Sequence, residues 1–249
     1  MFEKNKYKMY NIHRPSTYDG GNPNASFGES KGKRNNIMEN YIGKGVLVVV
    51  DFQYDFCNKK GSLYVKGAEK AKEAILNRIK NDEFINQVIF TMDWHNFYDN
   101  SFEVNGGQWP VHCVQNTVGA GVDNDLVNAC IERGIIPTFV YKGDKFDVEE
   151  YGAFSNVTID GDLITLKNVS GEAENEVTIH RLDTITVCGL AGDYCVKETL
   201  KNLYEKSPNN IFVFEDGIAS IDGGKALNEY VEEKHIMKDK TWEKVITKS

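Results

Sequence analysis

No apolar run in this chain of 249 residues approaches the ~20 residues that a helix needs to cross a bilayer. The opening, MFEKNKYKMYNIHRPST, has no apolar core of signal-peptide type, so neither insertion nor export is expected. Basic charge is scarce as well. Lys and Arg number 29 against 37 Asp and Glu, and a net charge of -8 argues against a nucleic-acid partner, which needs a basic face. The five cysteines, Cys57, Cys113, Cys130, Cys188 and Cys195, form no CxxC pair. Odd in number, scattered and without an export signal, they read as reduced thiols of a cytoplasmic protein. The sequence contains no internal repeat.

What is present suffices for a substantial core. The hydrophobic share is 41%, and the length allows one large domain or two small ones. Residues 1–44 stand apart, poor in aliphatics and without helical or strand periodicity across DGGNPNASFGESKGKRNN. They read as a loose extension, with Tyr7, Tyr10 and Phe27 leaving room for an arm docked on a partner subunit of a homo-oligomer.

From residue 45 the pattern becomes regular. GVLVVVDF, QVIFTMDWH, PTFVYKG, TITVCGL and NIFVFEDG are short continuous apolar runs, the signature of strands buried on both faces. Between and after them, AEKAKEAILNRIK, DNDLVNACIERG, the stretch from about Asp193 and GKALNEYVEEKH have helical spacing. Alternating strands and helices predict an α/β protein with a mainly parallel sheet covered on both faces. In the segment 155–181, VTIDGDLITL has a DG turn between β-prone runs and predicts a hairpin, followed by an irregular helix and strand.

Open parallel sheets build sites at the carboxyl ends of their strands. There stand Asp51, Asp93 with His95, Lys142 and Cys195, each ending or following a different apolar run. Cys195 falls in the first turn of an expected helix, whose dipole favours a nucleophilic thiolate, with Asp193 as a capping residue. Gly189 and Gly192 permit a tight turn whose N–H groups point at an oxyanion. Cys188 and Cys130, by contrast, read as inert buried thiols. Asp51 could accept the thiol proton, and a Lys142 ammonium beside both would stabilise both anions. Asp55 suits turn or capping bonds. Asp93, His95 and His112 together suit a divalent metal such as zinc, iron or manganese.

Five stretches carry a resemblance in their order along the chain: VVVDFQYDFCNKKGSLYVKGA, TMDWHNFYDNSF, WPVHCVQNTVGAGV, VYKGDKFDVEEYGAF and VCGLAGDYCVKETL. Together they resemble the nicotinamidase (pyrazinamidase) group of the isochorismatase-like cysteine hydrolases, over residues 45 to about 221. DWH, WPxHC and GLAxDYCV point to that group in particular. The resemblance implies a three-layer αβα sandwich over residues 45–249. It implies a triad of Asp51 as base, Lys142 as cationic partner and Cys195 as nucleophile. It implies a non-proline cis peptide at Leu190–Ala191, which directs the Ala191 N–H with that of Cys195 into an oxyanion hole. Phe56 and Trp109 would sandwich a pyridine ring, with Leu190 and Tyr151 as further substrate contacts. Asp93, His95 and His112 would hold one divalent metal, zinc first, against the ring nitrogen.

One position departs from the pattern. Many relatives place a further histidine ligand four residues after the first, where this chain has Asp99. Asp99 is the expected fourth ligand, with Glu103 the alternative, and an oxygen donor there would make the site harder. The function implied is hydrolysis of nicotinamide to nicotinic acid and ammonia through a cysteine thioester, in NAD salvage, with pyrazinamide also accepted. The alternatives are another small-amide or carbamoyl hydrolase of the same fold, or a catalytically silent relative that binds a metal or partner.

Overall fold

Every position of β1 (Gly45–Val50) is buried. Its side chains alternate between two cores. Val46, Val48 and Val50 join one, and Leu47 and Val49 join the other. Such a strand is buried on both faces, and each fully buried valine or leucine contributes roughly 1.5–3 kcal/mol. The structure, a computed structural model, describes residues 41–168 and 176–239. Residues 1–40, which make up most of the predicted extension, lie outside the described residues, as do 169–175 within the segment 155–181 and the tail from 240.

The remaining strands are β2 (Ile85–Asp93), β3 (Thr138–Lys142), β4 (Asn156–Asp160), β5 (Leu163–Lys167), β6 (Glu176–His180), β7 (Thr184–Gly189), β8 (Asn210–Ile218) and β9 (Met237–Asp239). Six of them form one sheet in the order β3-β2-β1-β7-β8-β9, with every neighbouring pair parallel. The order reverses at β1/β7, and at such a switch point the carboxyl ends of the strands leave a crevice.

The helices are α1 (Tyr54–Cys57), α2 (Ala68–Asn81), α3 (Asn124–Glu132), α4 (Lys197–Lys206) and α5 (Lys225–Glu233). In α2, Ala68, Ala71, Ile75 and Ile79 follow helical spacing and pack into the core that holds Leu47 and Val49, beside Leu126 and Ala129 of α3. Asp123 caps α3, its carboxylate accepting the N–H groups of Asp125 and Leu126. The opposite core takes Leu200 and Leu203 of α4 and Leu227 and Val231 of α5. The parallel sheet between two covering layers is thus the expected one.

The segment 155–181 contributes a separate three-stranded antiparallel sheet, β4-β5-β6. The predicted hairpin is present, with Asp160 paired to Leu163 across a two-residue loop. Gly161 opens that loop at φ +60°, a conformation few other residues adopt without cost. Ile164, Leu166, Val177 and Ile179 insert into the α4/α5 core, so this small sheet completes a layer otherwise made of helices. Two features differ from the sequence-based expectation. β9 is an additional edge strand, and the helix expected from Asp193 begins as a π-helical turn, Gly192–Val196, before α4.

Candidate active site

The ends of three parallel strands converge. Asp93 and Lys142 are the last residues of β2 and β3 and are register partners, so their side chains leave the sheet side by side. Lys142 donates to Asp93 Oδ1. Its Nζ lies 2.8 Å from Asp51 Oδ2 and 3.7 Å from Cys195 Sγ. Asp51 directly follows β1 and holds φ +45°, a strained backbone for a non-glycine residue and the kind that persists at functional sites. Its Oδ1 accepts the Thr91 hydroxyl at 2.6 Å. Its Oδ2 is paired with the Lys142 ammonium, and the Cys195 thiol lies within hydrogen-bonding reach of the same carboxyl, which places a proton acceptor beside the sulfur. The acid, the cation and the thiol predicted at one sheet edge therefore meet, all buried.

Burial sets the protonation states. It raises the Cys195 thiol well above its ordinary value, with Lys142 opposing and Asp51 and Asp93 adding to the rise. Burial also raises the Asp51 carboxyl against the pull of Lys142. For Lys142 burial lowers the value, but the surrounding Asp51, Asp93 and Cys195 hold the ammonium well above the usual range. Buried between carboxylates, Cys195 is thus favoured as a neutral thiol rather than as the thiolate expected at a helix end. Asp193 is not a cap either: its two carboxylate oxygens accept the N–H groups of Ile221 and Asp222 at 2.9 and 3.1 Å. That pair of bonds ties the nucleophile turn to the loop after β8. Cys188 and Cys130 are buried, with their thiols shifted upward by burial, as expected of inert cysteines.

Asp93 faces two imidazoles. Its Oδ2 is 3.5 Å from His95 Nε2 and 3.8 Å from His112 Nε2. The ring nitrogens facing away are both held, His95 Nδ1 by Asp99 Oδ2 at 2.9 Å and His112 Nδ1 by the Pro110 carbonyl at 2.7 Å. Two imidazole nitrogens and a carboxylate oxygen, buried and within 4.8 Å of one another, fit a divalent cation. Without one, burial lowers His95, but Asp93 and Asp99 together more than offset it and raise the imidazole to about 10. Asp93 itself is raised by burial and pulled well below the carboxylate range by Lys142 and His95. Neither proposed fourth ligand joins this cluster. Asp99 sits on the opposite side of the His95 ring, and Glu103 is exposed in a short 3-10 turn.

Two supporting residues escaped the sequence reading. Gln53 accepts the Asp93 N–H at 2.8 Å and donates to the Asp93 and Ala120 carbonyls. Thr91 bonds Asp51 as described. The only cue was a polar side chain within or just after an apolar strand. Asp55, expected to make turn or capping bonds, instead reaches farther, accepting from Cys113 N, 58 positions on, at 2.8 Å and from Ser62 N at 3.3 Å.

Beside Cys195 opens a narrow cavity walled by Phe56, Trp109, His112, Tyr151, Ala191 and Tyr194. The Tyr151 hydroxyl accepts from Trp109 Nε1 and Gln108 Nε2, both at 3.0 Å, which fixes the indole. Tyr194 meets the indole edge-on at 5.2 Å and was not anticipated. The Leu190–Ala191 peptide is cis, as expected. Leu190, expected as a substrate contact, is instead fully buried in the α2/α3 core and does not line the cavity that its neighbour Ala191 reaches.

No family model matches the chain. The nicotinamidase of Saccharomyces cerevisiae is 26% identical over 213 residues, which span 75% of this chain and 94% of the relative. The crystal structure of PnC1 from L. infantum in complex with nicotinate is 26% identical, with a TM-score of 0.61 over 79% of this chain and 92% of that one. The pyrazinamidase of Pyrococcus horikoshii, solved in complex with zinc, is 24% identical and shares the fold at a TM-score of 0.56, covering 80% of this chain and 99% of that one. Fold and relatives together define an amide hydrolase of the isochorismatase-like class. Within that class, the relatives and solved structures that the chain resembles are nicotinamidases and pyrazinamidases.

Proposed function

We propose that this protein hydrolyses nicotinamide to nicotinic acid and ammonia through a thioester on Cys195, and that it serves NAD salvage. The observation that carries the reading is Lys142. Its ammonium lies 2.8 Å from a carboxylate and 3.7 Å from a thiol, and that thiol lines a cavity walled by aromatic side chains. In this mechanism Asp51 Oδ2 takes the Cys195 proton, and the sulfur attacks the carboxamide carbon. The backbone N–H groups of Ala191 and Cys195 receive the tetrahedral oxyanion. As that intermediate collapses the C–N bond breaks, and the proton held by Asp51 passes to the nitrogen, which leaves as ammonia. A water then gives a proton to Asp51 and its oxygen to the thioester carbon. The C–S bond breaks, the thiol recovers its proton and the carboxylic acid departs.

Phe56, Trp109 and Tyr151 would hold the ring in place, so that much of the acceleration comes from orientation. Asp93, His95 and His112 would hold a divalent ion, zinc being our reading from the mixed nitrogen and oxygen donors, and that ion supplies a Lewis-acidic contact for the ring nitrogen. Pyrazinamide, with the same carboxamide on a similar flat ring, is expected to be a second substrate. The test is ammonia and acid formation by metal-analysed protein offered nicotinamide, pyrazinamide and a panel of aliphatic amides and carbamoyl compounds. Turnover of a carbamoyl compound with none of nicotinamide would overturn the proposal.

A further inference from the structure

Asp99 lies in the loop after β2, four residues beyond His95. A turn closed by Asp99 N–H to the Asn96 carbonyl at 3.0 Å brings its side chain back against the imidazole. Both carboxylate oxygens are committed there. Oδ2 meets His95 Nδ1 at 2.9 Å, and Oδ1 accepts the Ser101 N–H at 2.8 Å. The Asp99 carbonyl accepts Asn105 Nδ2 at 2.8 Å, which pins the backbone of the same loop. His95 Nε2 points the other way, 3.5 Å from Asp93 Oδ2. The two nitrogens of an imidazole diverge, so a carboxylate seated on Nδ1 does not share a cation bound at Nε2.

We infer that Asp99 is a positioning residue that fixes the tautomer and orientation of His95 from behind, and that the protein supplies three metal ligands, Asp93, His95 and His112, with no carboxylate from position 99. This rests on the reading of those three residues as the metal site. The two ligand histidines are held differently. His112 Nδ1 is met by a neutral carbonyl, that of Pro110, whereas His95 Nδ1 is met by a buried carboxylate. A carboxylate behind a ligand imidazole raises the basicity of the coordinating nitrogen, and removing such partners typically weakens metal binding roughly 10- to 100-fold. Of the three donors, His112 and Asp93 both line the cavity beside Cys195.

The test uses the full chain loaded with Co(II), whose visible spectrum reports coordination number and donor set. Affinity is measured by competition with a chromogenic chelator for wild type, Asp99→Asn and Asp99→Ala, and circular dichroism checks folding. Asp99→Asn keeps an acceptor for His95 Nδ1–H and is expected to bind within a few-fold of wild type. Asp99→Ala is expected to lose roughly 10- to 100-fold in affinity, with the spectrum of its saturated form unchanged. A changed spectrum in saturated Asp99→Asn, or wild-type affinity in Asp99→Ala, overturns the inference. If Asp99→Ala does not fold, the Asp99→Asn spectrum decides alone. If wild type itself binds no Co(II), or if His112→Ala binds as tightly as wild type, the metal-site reading fails and the inference falls with it.

Discussion

Lys142 carries the charge balance of the site, and its removal should reverse the effect of a second mutation. The ammonium is fully buried and compensates two carboxylates, Asp51 at 2.8 Å and Asp93. Lys142→Met leaves Asp51 without a counter-charge and Asp93 with His95 alone, and breaking a buried pair in this way costs about 3–5 kcal/mol. That is a large part of the roughly 5–15 kcal/mol by which proteins are usually stable. Asp51→Asn is milder in the wild-type background, because the Lys142–Asp93 pair survives and the Thr91 hydroxyl keeps an acceptor. A loss of about 1–3 kcal/mol is expected. In the Lys142→Met background the sign changes. Asp51 and Asp93 repel each other there, so Asp51→Asn removes a like charge and restores stability. The assay is urea unfolding followed by tryptophan fluorescence, with a chelator present. The Lys142→Met penalty should also depend on pH. Without the lysine the Asp51 carboxyl titrates higher in the fold than in the unfolded chain, so the penalty is smallest in acid and grows as pH rises through the folded value. If Asp51→Asn destabilises the Lys142→Met protein further, this electrostatic account of the site is wrong.

Three further outcomes follow from the geometry. Asp193→Ala removes the acceptor of two N–H groups that tie the nucleophile turn to the loop after β8. It should cost about 1–3 kcal/mol in the same unfolding assay and lower kcat, whereas an unchanged kcat would show that the turn holds itself. Gly189→Ala should yield no soluble protein, since its φ is +120° and a Cβ would lie 2.1 Å from the Val50 carbonyl oxygen. Recovery of folded Gly189→Ala by size exclusion would contradict this. At the start of α5 the Asp222 carboxyl is held below its ordinary value by the Ala226 N–H first, then by those of Gly224 and Lys225. The stability advantage of wild type over Asp222→Ala should therefore be present at neutral pH and fade as pH falls through the folded value. Denaturation midpoints at about pH 7 and about pH 3 test it; an advantage that persists in acid would assign the effect to something other than the charge.

Much of the fold was legible because the sheet is buried on both faces. Strands in that setting must be continuous apolar runs, as GVLVVV is, and the polar residues closing them are forced to the sheet edge. Hence Asp51, Asp93 and Lys142 could be placed together before any coordinates. β9 was not visible because Met237–Asp239 is a three-residue edge strand with no apolar run. The state of Cys195 was misread because the helix-end argument treats the dipole alone, whereas complete burial between carboxylates sets the thiol. Asp99 stands where the resemblance implies a fourth metal ligand. Spacing places it near His95, but which ring nitrogen it meets depends on a loop turn that no period in the sequence encodes. Leu190 is an apolar residue beside the turn, and its full burial in the core is set by tertiary packing that the local sequence does not show. Gln53 and Thr91 were missed because their partners are backbone groups or residues 40 positions away in the chain.

The central claim is that Cys195 is the nucleophile of a nicotinamide hydrolase. The most direct measurement is ammonia and nicotinic acid formation from nicotinamide by wild type and Cys195→Ala, with metal content and ligand binding measured on the same samples. Wild type should turn over, and Cys195→Ala should bind nicotinic acid as wild type does yet lose about 10⁴-fold or more in kcat. Turnover by Cys195→Ala at a rate near that of wild type would contradict the claim.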